Sequence, residues 1–143
     1  MSLSLLTVVM RCVGASLLVL GLFHAVLWRT FDWGRQIAQL SPITARVFVV
    51  HMLFIVFVLS ALGLLSLGWP ELLLVPSELA RLLLYAIALF WLLRLAFQPL
   101  VFDRAMGAGW TGSPVVRLGA SLLWVSYLAV YGVALMRQFG APR

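Results

Sequence analysis

Four long apolar runs, separated by short links rich in proline, glycine, tryptophan and arginine, make up nearly the whole chain. The first extends from Leu3 to Trp28 and is broken once, by Arg11. The second runs from Ile43 to Trp69, the third from Glu78 to about Gln98, and the fourth from Val115 to Met136. Each reaches or exceeds the roughly 20 residues that a helix needs to cross the hydrocarbon of a bilayer.

Helix-start signals punctuate three of the runs. Ser41 precedes Pro42, Ser77 follows Pro76, and Ser113 precedes Pro114. A serine hydroxyl can accept from the exposed N–H groups of a first turn, and proline at that turn has no N–H to leave unpaired. The pattern predicts spans at about 4–29, 42–68, 78–98 and 114–137. A cleaved leader would need a basic start and a shorter apolar core. The first run therefore reads as a retained helix whose Arg11 snorkels to the interface.

Short links force consecutive helices to be antiparallel neighbours. The expected fold is all-α: a polytopic membrane protein, an antiparallel up-down-up-down four-transmembrane-helix bundle, forming a single membrane domain over residues 1–143. "WRTFDWGRQIAQLS" (28–41) suits a short amphipathic helix at the interface. "WPELLLVP" (69–76) is expected to fold back onto the bundle, and "DRAMGAGWTGSP" (103–114) to form a glycine-rich turn. "GASLL" occurs at 14–18 and again at 119–123. Gly14, Gly21 and Ala25 give the first helix a face of small residues that favours close helix approach.

Composition agrees with the pattern. Of the residues, 64% are hydrophobic and 10% charged, against about 25% charged in a soluble domain. The mean hydropathy is +1.13. The net charge of +6 comes from arginine alone. The arginines stand singly at the ends of apolar runs, as interface anchors do, which excludes a nucleic-acid surface. Their distribution favours links 1–2 and 3–4 in the cytoplasm, by the positive-inside rule, and a bacterial inner membrane. Cys12 is the only cysteine, so neither an internal disulfide nor a thiolate metal cluster is available.

The polar residues within the runs gather toward one end. His24 lies five residues before Arg29, and His51 five residues after Arg46, so each imidazole is roughly 7 Å below one interface. Arg94 and Gln98, four apart, share a helix face with Trp91. Ser121, Trp124 and Tyr127 begin the fourth run on that side. A charge inside a span costs about 2.5 kcal/mol or more and marks a site; Asp103 is the acid closest in sequence to Arg94.

Three classes of function fit. The first is binding the polar or anionic head of a lipid-soluble ligand, whether quinone, anionic membrane lipid or polyprenyl phosphate. Arg46, His24, His51, Trp91, Arg94, Gln98 and Tyr127 would line that pocket, alone or for a partner enzyme. The second is b-type haem, ligated by His24 and His51. The third is an accessory subunit of a membrane complex, or a homo-oligomer, packed through its small residues. Catalysis has weaker support. His24 or His51 as base with Ser121 or Tyr127 as nucleophile matches no known spacing.

Overall fold

The computed structural model describes residues 2–102, 104 and 113–140. Four helices are long and apolar enough to cross a membrane. In chain order the elements are α1 (Leu3–Thr30), α2 (Trp33–Ile37), α3 (Pro42–Gly68), α4 (Glu71–Leu74), α5 (Glu78–Phe97), a π-helical turn (Gln98–Phe102) and α6 (Pro114–Gly140). No strand occurs among the described residues. The expected glycine-rich turn at 103–114 falls almost wholly outside them, as does Asp103.

Burial matches a protein solvated by lipid. In the most apolar 18-residue window of each long helix, only 11 to 33% of residues are buried. Leucines, valines and phenylalanines are exposed along all four. In water such a surface would drive aggregation; in hydrocarbon it costs nothing. The chain is an integral membrane protein.

The caps read from sequence are present. Ser41 Oγ accepts from Thr44 N at 3.4 Å, Ser77 Oγ from Ala80 N at 3.0 Å, and Ser113 Oγ from Val116 N at 3.3 Å. Contacts divide the chain into two compact units, residues 8–70 and residues 1–7 with 71–143.

In the unit of residues 8–70, α1 and α3 run antiparallel through a glycine contact. A Cβ built on Gly14 would lie 2.5 Å from Leu67 N and 2.7 Å from Gly63 O. One built on Gly63 would lie 2.9 Å from the Leu18 side chain. Only hydrogens on both sides permit backbones this close. Farther along, Gly21 faces Val56, Leu59 and Ser60. Ala25, the third small residue of the expected face, is exposed. Beyond α1 the chain reverses at Asp32, which takes the left-handed conformation with φ 49°. The α2 helix that follows holds no buried residue, as expected of an interfacial segment.

In the unit containing residues 71–140, α5 and α6 are antiparallel and meet along two regular stripes. Ala80, Leu84, Ile87 and Trp91 are buried on α5; Trp124, Tyr127, Tyr131, Ala134 and Gln138 are buried on α6. Spacings of three and four are those of an antiparallel helix seam. At one end, buried Gln138 ties down the preceding link. Its Oε1 accepts from Ser77 N at 3.1 Å, and its Nε2 donates to Leu73 O at 2.9 Å. The stretch of residues 71–76 therefore folds onto the α5–α6 pair, with Leu73 and Leu74 of α4 buried.

Candidate ligand site

At the other end of the same seam lies a second buried glutamine. Gln98 is 1% exposed, and its Oε1 accepts two N–H groups: Arg94 Nη1 at 3.1 Å and Trp124 Nε1 at 3.2 Å. The Arg94 guanidinium lies between two aromatic faces, 4.2 Å from the Phe102 centroid and 4.5 Å from that of Trp124. Trp91 stacks on Trp124 at 5.5 Å and 13° and leans on Tyr127 at 4.6 Å. Five residues thus form one cluster within the α5–α6 pair: Trp91, Arg94, Gln98, Trp124 and Tyr127.

The backbone explains Phe102. Pro99 has no N–H, and its ring crowds the preceding turn. The helix does not stop there but widens into the π-helical turn Gln98–Phe102, a form that recurs at functional sites. The apolar helical run then extends from Glu78 to Phe102, 25 residues. Arg94 is four residues past its middle, ~6 Å along the axis, and so lies well inside the span. Cation–π contacts gain strength when desolvated, to ~2 kcal/mol or more, which offsets part of the cost of a guanidinium at that depth.

The cluster is rich in donors. Trp91 is 1% exposed, and its Nε1–H has no acceptor among the described residues. A buried donor left unmade costs about 1–3 kcal/mol. Arg94 is half-buried.

The histidines lie in the unit of residues 8–70. His24 is half-buried and its Nδ1 meets Leu20 O at 2.8 Å. His51 is exposed and its Nδ1 meets Val47 O at 3.1 Å. A carbonyl only accepts, so each Nδ1 donates to the carbonyl one turn back. The glycine contacts fix the register between α1 and α3. Gly14 is centred on Leu65 and Gly21 on Val58, which sets Ile55 opposite His24. His51 lies four residues further on, ~6 Å along the axis, rather than at the same depth. His24 continues the buried stripe of Met10, Val13, Leu17 and Gly21, whereas His51 is off the buried stripe of α3. Arg46 is exposed on the first turns of α3, beside a hollow of about 370 Å³ lined with Ala45, Val49 and Val50.

Of the seven residues singled out by sequence, four meet in one cluster: Trp91, Arg94, Gln98 and Tyr127. Ser121 is half-buried on α6. Pro99 reads from sequence either as a stop or as a kink with the span running on toward Asp103; the structure has the second, and the contact of Phe102 with Arg94 was missed because it depends on the π turn. Gln138 was missed because it stands beside Arg137 at the end of an apolar run and reads as interfacial. Among the described residues, no three His, Cys, Asp or Glu side chains are grouped to hold a metal ion. The chain matches no protein-family model, no curated protein and no solved structure.

Proposed function

We propose that this membrane protein binds the polar head of a lipid-soluble ligand at the Arg94–Gln98–Trp124 cluster. The observation that carries the reading is the buried Trp91 Nε1–H, which has no acceptor among the described residues, on a ring that stacks on the Trp124 indole over which Arg94 lies. A quinone carbonyl, an anionic lipid or a polyprenyl phosphate supplies the acceptor, and its tail runs along the lipid-facing helices. Arg94 holds the head, Gln98 fixes the guanidinium, and Trp91 and Tyr127 close the wall. The role is binding, alone or in service of a partner enzyme in a membrane complex. Arginine bias supports the 31–41 link in the cytoplasm.

The test is lipid retention. Parent and Arg94→Leu proteins are purified in mild detergent, and bound lipids are extracted and weighed. A defined lipid present in the parent and reduced at least tenfold in the folded variant supports the site. Equal retention refutes it.

A further inference from the structure

Two helices fix the depth of the aromatic cluster independently. The apolar run of α5 with its π turn spans Glu78–Phe102, 25 residues, so its midpoint is Phe90, next to Trp91. The α6 helix spans Pro114–Gly140, 27 residues, with Tyr127 at its midpoint. Charged residues mark the same centre. Arg81 stands ten residues before Trp91, and Arg117 and Arg137 stand ten residues either side of Tyr127. Ten residues of helix rise ~15 Å, half of the roughly 30 Å of hydrocarbon. The two midpoints meet in space, because the Trp91 and Tyr127 ring centroids are 4.6 Å apart. The Trp91 indole therefore lies near the middle of the bilayer.

Depth selects among acceptors. Trp91 Nε1–H is buried without an acceptor among the described residues, and an indole nitrogen can only donate. Lipid phosphates lie at headgroup level, ~15 Å away. Drawing one to the bilayer centre would strip its water, which costs far more than one hydrogen bond returns. Arg94 does not bridge that distance. Its guanidinium reaches away from Trp91, toward Phe102 at 4.2 Å, so a phosphate paired with it would leave Trp91 unmet. A quinone differs on each count. Its head is neutral, its ring carbonyls are acceptors, and it dissolves in hydrocarbon. The ring is also flat, and Trp91 and Trp124 form a wall only 13° from parallel. Trp91 Nε1 is closed over, so an occupant must displace a neighbouring side chain, and a thin ring displaces least.

We propose that the occupant of the cluster is a quinone whose carbonyl accepts from Trp91 Nε1–H, with its ring along the Trp91–Trp124 wall. The assignment rests on the reading of this cluster as a ligand site and narrows that reading to one class, leaving phosphate-headed lipids out.

The experiment uses the full chain, stripped of lipid in detergent micelles, with its tryptophans labelled with nitrogen-15. Decylubiquinone, phosphatidylglycerol and farnesyl phosphate are titrated separately. The Trp91 Nε1–H signal is assigned by its loss in Trp91→Phe. Decylubiquinone is expected to move it downfield and to saturate, while both phosphate lipids leave it in place. Trp91→Phe keeps a ring and loses the donor. It is expected to weaken quinone binding about fivefold, the worth of one hydrogen bond, read at the Trp124 Nε1–H signal. A Trp91 signal moved as far by either phosphate lipid as by the quinone overturns the assignment and leaves the site standing. A signal that ignores all three but answers to an organic extract of the native membrane does the same. A signal that ignores the extract as well removes the site itself. Quinone binding as tight in Trp91→Phe as in the parent overturns the carbonyl contact.

Discussion

Replacing Gly14 with alanine tests the α1–α3 seam at its tightest point. The added Cβ would lie 2.5 Å from Leu67 N and 2.7 Å from Gly63 O, where ordinary contact begins near 3.4 Å. Both obstacles are backbone, so no rotamer change relieves them. The helices must part locally by about 0.9 Å, the difference between 3.4 and 2.5 Å. A gap of that order forfeits a quarter to a half of the dispersion energy of each facing atom pair. With on the order of 40 pairs across two turns at ~0.15 kcal/mol each, the loss is about 1.5–3 kcal/mol, in the range known for overpacked cores. Alanine returns ~1 kcal/mol of helix propensity, leaving a net destabilisation of about 0.5–2 kcal/mol. Gly119→Ala is the internal control. It lies in the second copy of "GASLL", and its Cβ meets nothing within 4 Å. It is expected to be neutral or stabilising by up to ~1 kcal/mol. Unfolding in mixed micelles by titrated dodecyl sulfate, followed by circular dichroism, reads both. Gly14→Ala as stable as Gly119→Ala would refute the close approach.

Other outcomes follow from the same geometry. Gln98→Leu removes the acceptor shared by Arg94 and Trp124 and should cost about 1–3 kcal/mol by the same titration, with Trp124→Phe costing less because only one N–H is lost. Gln138→Leu releases Ser77 N and Leu73 O; amide exchange at Ser77 should quicken at least tenfold while exchange at Trp91 is unchanged, and uniform quickening would point to global loosening instead. Trp91→Phe should be tolerated, since the ring stacking survives and the removed N–H has no acceptor in the ligand-free protein; a loss above ~2 kcal/mol would mean that the indole nitrogen is already satisfied.

What the sequence makes legible is what local chemistry decides. Ser41, Ser77 and Ser113 cap their helices because a hydroxyl before a first turn has few other uses. The spans follow from length and apolarity. Trp91, Arg94 and Gln98 share a face because 3.6 residues make a turn. Partner choice between helices is not local, and there the reading fails by physical necessity. "GASLL" at 14–18 is a backbone contact, while the identical pentapeptide at 119–123 faces open space; nothing within the five residues differs. Gly63, which completes the contact, stands among leucines without any signal. The depth of His51 relative to His24 depended on helix register, which Gly14 and Gly21 set from two turns away. Gln138 is a buried clamp only because α4 folds back upon it.

The indole resonance of Trp91 reports most directly on whether its orphan N–H awaits a ligand oxygen. Protein stripped of lipid in detergent micelles, labelled with nitrogen-15 on its six tryptophans, is titrated with the organic extract of its native membrane. A downfield shift of the Trp91 Nε1–H signal, absent in Arg94→Leu, is the expected result. A Trp91 signal unmoved by saturating extract, or moved equally in Arg94→Leu, would contradict a ligand site at this cluster.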